Sequence, residues 1–169
     1  LISGMKTLKL KLLLPVLALL LLSATAAPAQ EVEVIKFADL KALRERPSDT
    51  LYVVNFWATW CRPCIKELPY FEAASQKYKD QPVKVILVSM DAVEDLDSRV
   101  KPFVQKRGLQ AQVLLLDEVD GNTWIDKIEP KWSGAIPATM VFNNKRDLYE
   151  FREAEMTQEE LTALIEKHK

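Results

Sequence analysis

The stretch that most restricts how this chain can fold is Asn55–Pro69, Asn-Phe-Trp-Ala-Thr-Trp-Cys-Arg-Pro-Cys-Ile-Lys-Glu-Leu-Pro, which holds both of its cysteines, Cys61 and Cys64. Ahead of it, Thr50–Trp57 is rich in valine and aromatics and reads as a strand. Behind it, Ile65, Leu68, Phe71 and Ala74 recur at three-residue steps, which reads as one face of a helix. Cys61 therefore sits where a strand turns into a helix. Backbone N–H groups at a helix start point at such a sulfur, and the helix dipole favours negative charge there. A thiol in that place ionises more readily, and the thiolate is the nucleophile. Cys64 can then attack the first sulfur and release whatever it has bound, so the pair suits disulfide exchange.

Other uses of two cysteines compete with this one. A disulfide across two intervening residues closes a very small ring and constrains the unfolded chain little, which argues against a purely structural staple. A zinc site would need further ligands, yet there is no third cysteine and the single histidine, His168, is next to last. No metal ligand is therefore assigned; a vestigial, unused pair is the remaining alternative. The 169 residues suffice for one ordinary domain, and with 49% apolar and 28% charged residues the chain is globular. The formal net charge is −1, and without residues 1–29, which hold Lys6, Lys9 and Lys11 and no acid, it becomes −4. Nothing in that balance suggests a nucleic-acid partner.

Residues 1–29 read as a signal peptide. Met5 is a plausible start, Lys6, Lys9 and Lys11 form a positive region, Leu12–Leu22 is apolar, and Ala27-Pro28-Ala29 offers a cleavage site before Gln30. The competing reading is an uncleaved membrane anchor, for which the apolar run is short against the roughly 18–20 residues a spanning helix needs. Such a leader implies export to a bacterial periplasm, leaving residues 30–169 as the folded domain. Export also permits disulfides.

Along that domain, Glu31–Phe37 alternates and suggests a short edge strand with Val32 and Val34 on one side. A helix is expected over Ala38–Arg46, with Leu40 and Leu43 inward, stopped by Pro47. Strands follow at Leu51–Trp57, Val83–Met90, Gln112–Leu116, Ala138–Phe142 and Leu148–Phe151. Helices are expected over Cys61–Tyr78, containing Pro69, over Ser98–Arg107, closed by Gly108, over Gly121–Ile128, and over Thr157–His168, where Thr157 and Glu160 form a capping pair. Alternating strands and helices that end in a hairpin predict an α/β domain, a mixed central sheet with helices on both faces.

Trp60-Cys61-Arg62-Pro63-Cys64 after a buried strand resembles the thioredoxin superfamily. Asn55–Cys61 and Lys66-Glu67-Leu68-Pro69 are most similar to its exported TlpA/ResA-like branch, and Gly134-Ala135-Ile136-Pro137-Ala138-Thr139 resembles the family's cis-proline loop. The resemblance covers roughly residues 31–169. It implies a thioredoxin fold with an extra strand and helix in the middle, for which Ser98–Leu116 has room. It implies Cys61 as nucleophile and Cys64 as resolving cysteine. Glu67, one helical turn beyond Cys64, corresponds to a glutamate that the branch places near its cysteines; burial would raise its pKa and let it handle protons. Asn55 stands where thioredoxin itself carries a buried aspartate, which makes Glu67 the natural proton acceptor. Pro137 is the expected cis-proline, with Ile136 exposing backbone to a substrate strand.

Trp60, Arg62 and Pro63 complete the expected substrate-contact set. Trp60 is either a flat apolar wall for substrate or ordinary packing. Arg62 either stabilises the thiolate or is a solvated surface charge. Pro63 fixes the first helical turn. Trp57, Trp124 and Trp132 read as core or rim, with Trp132 near enough to the proline loop to touch substrate.

The resemblance implies a thiol:disulfide oxidoreductase that reduces exported disulfide-containing proteins, apocytochromes c among them, is re-reduced by a membrane electron-donor protein, and uses no cofactor beyond the redox-active disulfide Cys61–Cys64. The same cysteines could instead form disulfides as an oxidase. A peroxiredoxin-like peroxidase would want a Pro-x-x-x-Thr-x-x-Cys setting that Asn55–Cys61 lacks. A copper-binding assembly module would want a wider cysteine spacing and a usable histidine.

Overall fold

The structure, a computed structural model, describes residues 30–169. The leader expected over residues 1–29 lies outside the described residues. Among those described, no helix is long and apolar enough to cross a membrane.

The elements run β1 (Glu33–Ile35), α1 (Phe37–Glu45), β2 (Leu51–Trp57), α2 (Arg62–Lys77), β3 (Val83–Ser89), α3 (Lys101–Arg107), β4 (Gln112–Leu116), α4 (Ile125–Ile128), β5 (Ala138–Asn143), β6 (Leu148–Arg152) and α5 (Gln158–His168). The strands form one sheet in the order β1-β4-β3-β2-β5-β6. The pairs β1–β4, β4–β3 and β3–β2 are parallel, and β2–β5 and β5–β6 are antiparallel. The expected extra strand and helix are α3 and β4, and β4 enters the sheet between β1 and β3.

β2 is central and every one of its residues is buried. Because a strand alternates faces, Leu51, Val53 and Trp57 pack into one core with Leu68 and Phe71 of α2, Val104 of α3 and Leu161 of α5. Tyr52, Val54 and Phe56 pack into the opposite core with Leu40 of α1 and Ile128 of α4. Helices thus cover both faces. α5 begins as expected, with Thr157 and Glu160 capping each other, and α3 ends at Gly108, whose φ of 63° needs the left-handed region.

The lead-in to α3 is irregular: a 3-10 turn at Val93–Asp95, then one π turn at Leu96–Val100. Pro102, at the second position of α3, has no N–H to continue a regular α pattern backwards. The first strand is the expected short edge strand, confined to Glu33–Ile35. Val32 is buried, but Val34 is 39% exposed and Ile35 is the buried strand residue. β1 is an edge strand paired only with β4, and Val32 and Ile35 enter opposite cores, as the alternation requires.

Candidate active site

β2 delivers the chain to the site and α2 leaves it. Cys61 is the N-cap of α2, and its Sγ accepts a hydrogen bond from the backbone N–H of Cys64 at 3.3 Å. Pro63 occupies the second helical position, where its missing N–H costs no intrahelical bond. Cys61 and Cys64 form a disulfide with Cα atoms 5.3 Å apart. Cys61 is 5% exposed and Cys64 is fully buried, so an incoming reactant meets Cys61. The helix N-terminus therefore faces the one sulfur that can be reached.

The loop before Cys61 is anchored from β3. The Thr59 backbone N–H donates to Oδ2 of Asp91 at 2.9 Å, and the Thr59 hydroxyl donates to Oδ1 at 2.5 Å. The Ser89 hydroxyl also donates to Oδ2 at 2.7 Å. The parallel register of β2 and β3 sets Trp57 beside Ser89, which brings these residues together. Asp91 is buried. From the sequence it reads only as the start of an acidic loop; a serine and an aspartate straddling the end of an apolar strand were the available signal.

Glu67 lies fully buried on the inner face of α2. Its Oε1 accepts from Asn55 Nδ2 at 2.8 Å, and its Oε2 accepts from the Met156 backbone N–H at 2.7 Å. Asn55 Nδ2 also donates to Thr139 Oγ1 at 3.2 Å, across a β2–β5 register that pairs the two residues directly. Burial raises the Glu67 pKa to about 7, while the Met156 N–H and the Asn55 amide act in the opposite direction. The carbonyl oxygen of Asn55 is buried with no hydrogen-bond partner. The parts played by Met156 and Thr139, far along the chain, carry no local sequence signal.

The second loop at the site is Gly134–Pro137. The Ile136–Pro137 bond is cis, and the Ile136 carbonyl oxygen lies 3.7 Å from Cys61 Sγ. Gly134 has φ 86°, which a side chain would strain. Pro137 itself is buried and Ile136 half-buried, so the loop presents Ile136 beside the sulfur. Trp132 does not reach substrate. It is buried, its indole N–H donates to the Ala135 carbonyl at 2.8 Å, and it packs on Phe56 and Phe151, so it holds the loop from beneath.

Of the expected site residues, the fold brings Cys61, Cys64, Ile136 and Pro137 together. It sets Glu67 one helical turn inward and leaves Trp60, Arg62 and Pro63 exposed on the rim. Trp60 is 63% exposed, so it is not part of the core packing. His168 is remote from the sulfurs in role, paired with Glu150 at 2.9 Å.

A mixed sheet with a disulfide at the β2–α2 turn facing a cis-proline loop defines a thioredoxin-like protein. Residues 23–151 match the AhpC/TSA family, and the chain belongs to it. It is 32% identical over 114 residues to "Thiol-disulfide oxidoreductase ResA" of Bacillus thuringiensis (strain Al Hakam), covering 68% of this chain and 61% of that protein. The chain thus spans about three fifths of the length of these curated relatives. Among solved structures, StoA from Bacillus subtilis superposes with a TM-score of 0.55 at 25% identity, over 70% of this chain and 84% of that one. A thiol:disulfide interchange protein of the thioredoxin family from Chlorobium tepidum TLS superposes with a TM-score of 0.59 at 17% identity, over 76% and 83%. These likenesses bear out the thioredoxin fold and the similarity to ResA-like proteins expected from Asn55–Pro69.

Proposed function

We propose that this protein is an exported thiol:disulfide oxidoreductase that works on disulfides of other exported proteins, with reduction as its physiological direction. The observation that carries the reading is the reachable Cys61 sulfur, held at a helix N-terminus against the Ile136 backbone, with a buried carboxyl one turn along the same helix.

In the reducing direction the Cys61 thiolate attacks a substrate disulfide. A Cys61–substrate S–S bond forms, the substrate S–S bond breaks, and one substrate thiolate leaves. Cys64 then loses its proton and attacks Cys61 Sγ, which closes the Cys61–Cys64 disulfide and expels the second substrate thiolate. Two electrons pass from the protein dithiol to the substrate, and two protons end on the substrate thiols. Glu67 is the acceptor for the Cys64 proton, and a carboxyl titrating at about 7 suits that task near neutral pH. Rotation of the Asn55 amide would turn its unpartnered oxygen towards Glu67, where it can accept the proton of the neutral carboxyl; in the present orientation Nδ2 serves the carboxylate. Ile136 offers backbone to the substrate strand, Trp60 an apolar wall, and Pro63 a fixed first turn. Arg62 stabilises the thiolate.

The reaction needs no cofactor beyond the Cys61–Cys64 pair. It does need a source of electrons, and for an exported domain a membrane electron-donor protein fits. The leader-like residues 1–29 support a periplasmic location, and the resemblance of Asn55–Pro69 to the ResA-like branch supports apocytochromes c as substrates in cytochrome c maturation. Redox equilibration of the full chain against glutathione or dithiothreitol tests the direction. A potential near about −270 mV supports a reductant, whereas one near about −120 mV would make the protein an oxidase on the same fold. The two differ by roughly 7 kcal/mol for two electrons.

A further inference from the structure

Two grooves are lined on one side by residues that flank Cys61 in the chain and on the other by residues of α3 and its lead-in. One, of about 650 Å³, lies between Arg62, Pro63 and Lys66 on α2, Arg107 on α3, and Glu155. The other, of about 360 Å³, lies between Trp60 and the Arg99, Phe103 and Lys106 side chains. Trp60 and Arg62 bracket Cys61 in the chain, and Lys106 and Arg107 are neighbours on α3, so each groove is lined by a residue next to the reachable cysteine and by one of two adjacent cations.

Their charge runs against that of the domain. Residues 30–169 carry a formal −4, yet the grooves present five cations and one carboxylate. Lys66 is occupied by Glu155, and Arg99 by Asp95 at 3.5 Å. Arg62, Lys106 and Arg107 join no ion pair among the described residues. The Arg107 guanidinium sits over the Phe103 ring, 5.3 Å from its centroid, an arrangement that orients the charge without neutralising it. The exposed Trp60 face supplies apolar area between these charges. The far wall of both grooves comes from Arg99–Arg107, within the segment inserted between β3 and β4.

We infer that this cationic, Trp60-floored strip is the docking surface for an extended acidic polypeptide segment flanking the substrate's disulfide, and that the inserted α3 segment is what selects it. The inference rests on the disulfide-exchange reading. Unpaired cations around the reactive sulfur raise the local concentration of anionic chains and speed their encounter, by tenfold or more at low ionic strength. The exposed charges act over a Debye length of about 30 Å at 0.01 M salt and about 3 Å at 1 M.

The test uses the reduced full chain and three synthetic peptides with the same internal disulfide, flanked by Asp and Glu, by Ser and Gly, or by Lys. Second-order exchange rates are measured in low and high salt. At low salt the acidic peptide should react about tenfold faster than the neutral one, and the Lys peptide slower, with the differences collapsing in high salt. The double variant Lys106→Glu, Arg107→Glu should bring the acidic-to-neutral ratio to one or below. Lys79→Glu, a single charge reversal in the loop after α2, should keep the preference, whereas Lys106→Glu alone should already weaken it. Equal rates for the three peptides at low salt, or a preference that survives the double variant, overturn the docking inference and leave the exchange reading standing. Failure of all three peptides to react overturns the exchange reading itself.

Discussion

The two faces of the central sheet are built from the same strands and have opposite chemistry. On the α1–α4 face, Phe56, Trp124, Trp132 and Phe142 pack with aliphatic residues, and the buried set contains no carboxylate and no cation. On the α2 face the same strands bury Asn55, Ser89, Thr139 and Asn143. All four share the side of the pleat that points Val53, Val85 and Val141 at α2. Glu67 comes down from the helix to meet Asn55, which also donates to Thr139. One face is therefore a packing surface and the other a reactive one, and the strand period of two is enough to keep them apart.

The largest effect should come from the reactive face. Cys61→Ser is expected to reduce exchange to the uncatalysed background, while Cys64→Ser should accumulate a mixed disulfide with substrate that non-reducing gels detect. On the packing face, Phe142→Ala should cost about 3–5 kcal/mol of stability in urea denaturation. The potential of the Cys61–Cys64 couple should stay where it was; a shifted potential would break the separation of the two faces.

Glu67 sharpens the contrast through pH. The folded protein holds the Glu67 proton up to about pH 7, whereas an ordinary glutamate releases it near 4.5. The folded state therefore binds more protons in that window, and stability falls as pH rises through it. The loss reaches about 3 kcal/mol above pH 7, at about 1.36 kcal/mol per unit. Glu67→Gln should flatten this slope and shift the pH profile of exchange, and Asn55→Ala, which removes a hydrogen bond to the carboxylate, should push the Glu67 pKa higher. An unaltered pH profile in Glu67→Gln would remove it from the proton path. The smallest effect belongs to the loop anchor. Asp91→Ala leaves the Thr59 N–H without its acceptor and should cost about 1–3 kcal/mol, with slower exchange from a looser Cys61.

Much of the architecture was legible because it is local. Leu51–Trp57 and Gln112–Leu116 are strands over the residues their composition predicts, and the capping pair at Thr157 and Glu160 starts α5 where expected. The cysteine pair and the strand-to-helix turn around it were also readable, since spacing along one chain segment places both sulfurs. The edge strand was legible as one, but alternation alone cannot say which side of an unflanked strand is covered, and Val34 is left open. Trp132 looked close enough to touch substrate, and only packing showed it beneath the loop.

What the sequence by itself determined was the list of elements, the reactive pair and its fold, because periodicity and capping act over one or two turns. What the tertiary structure alone decided was the chemistry around the pair. Asn55 and Thr139 are 84 residues apart, Glu67 and Met156 are 89 apart, and Thr59 and Asp91 are 32 apart. These contacts exist only once crossovers have set strand order and register. The burial that raises the Glu67 pKa, and the placement of Lys106 and Arg107 in grooves shared with Trp60 and Arg62, depend on where whole helices land, which no local pattern encodes.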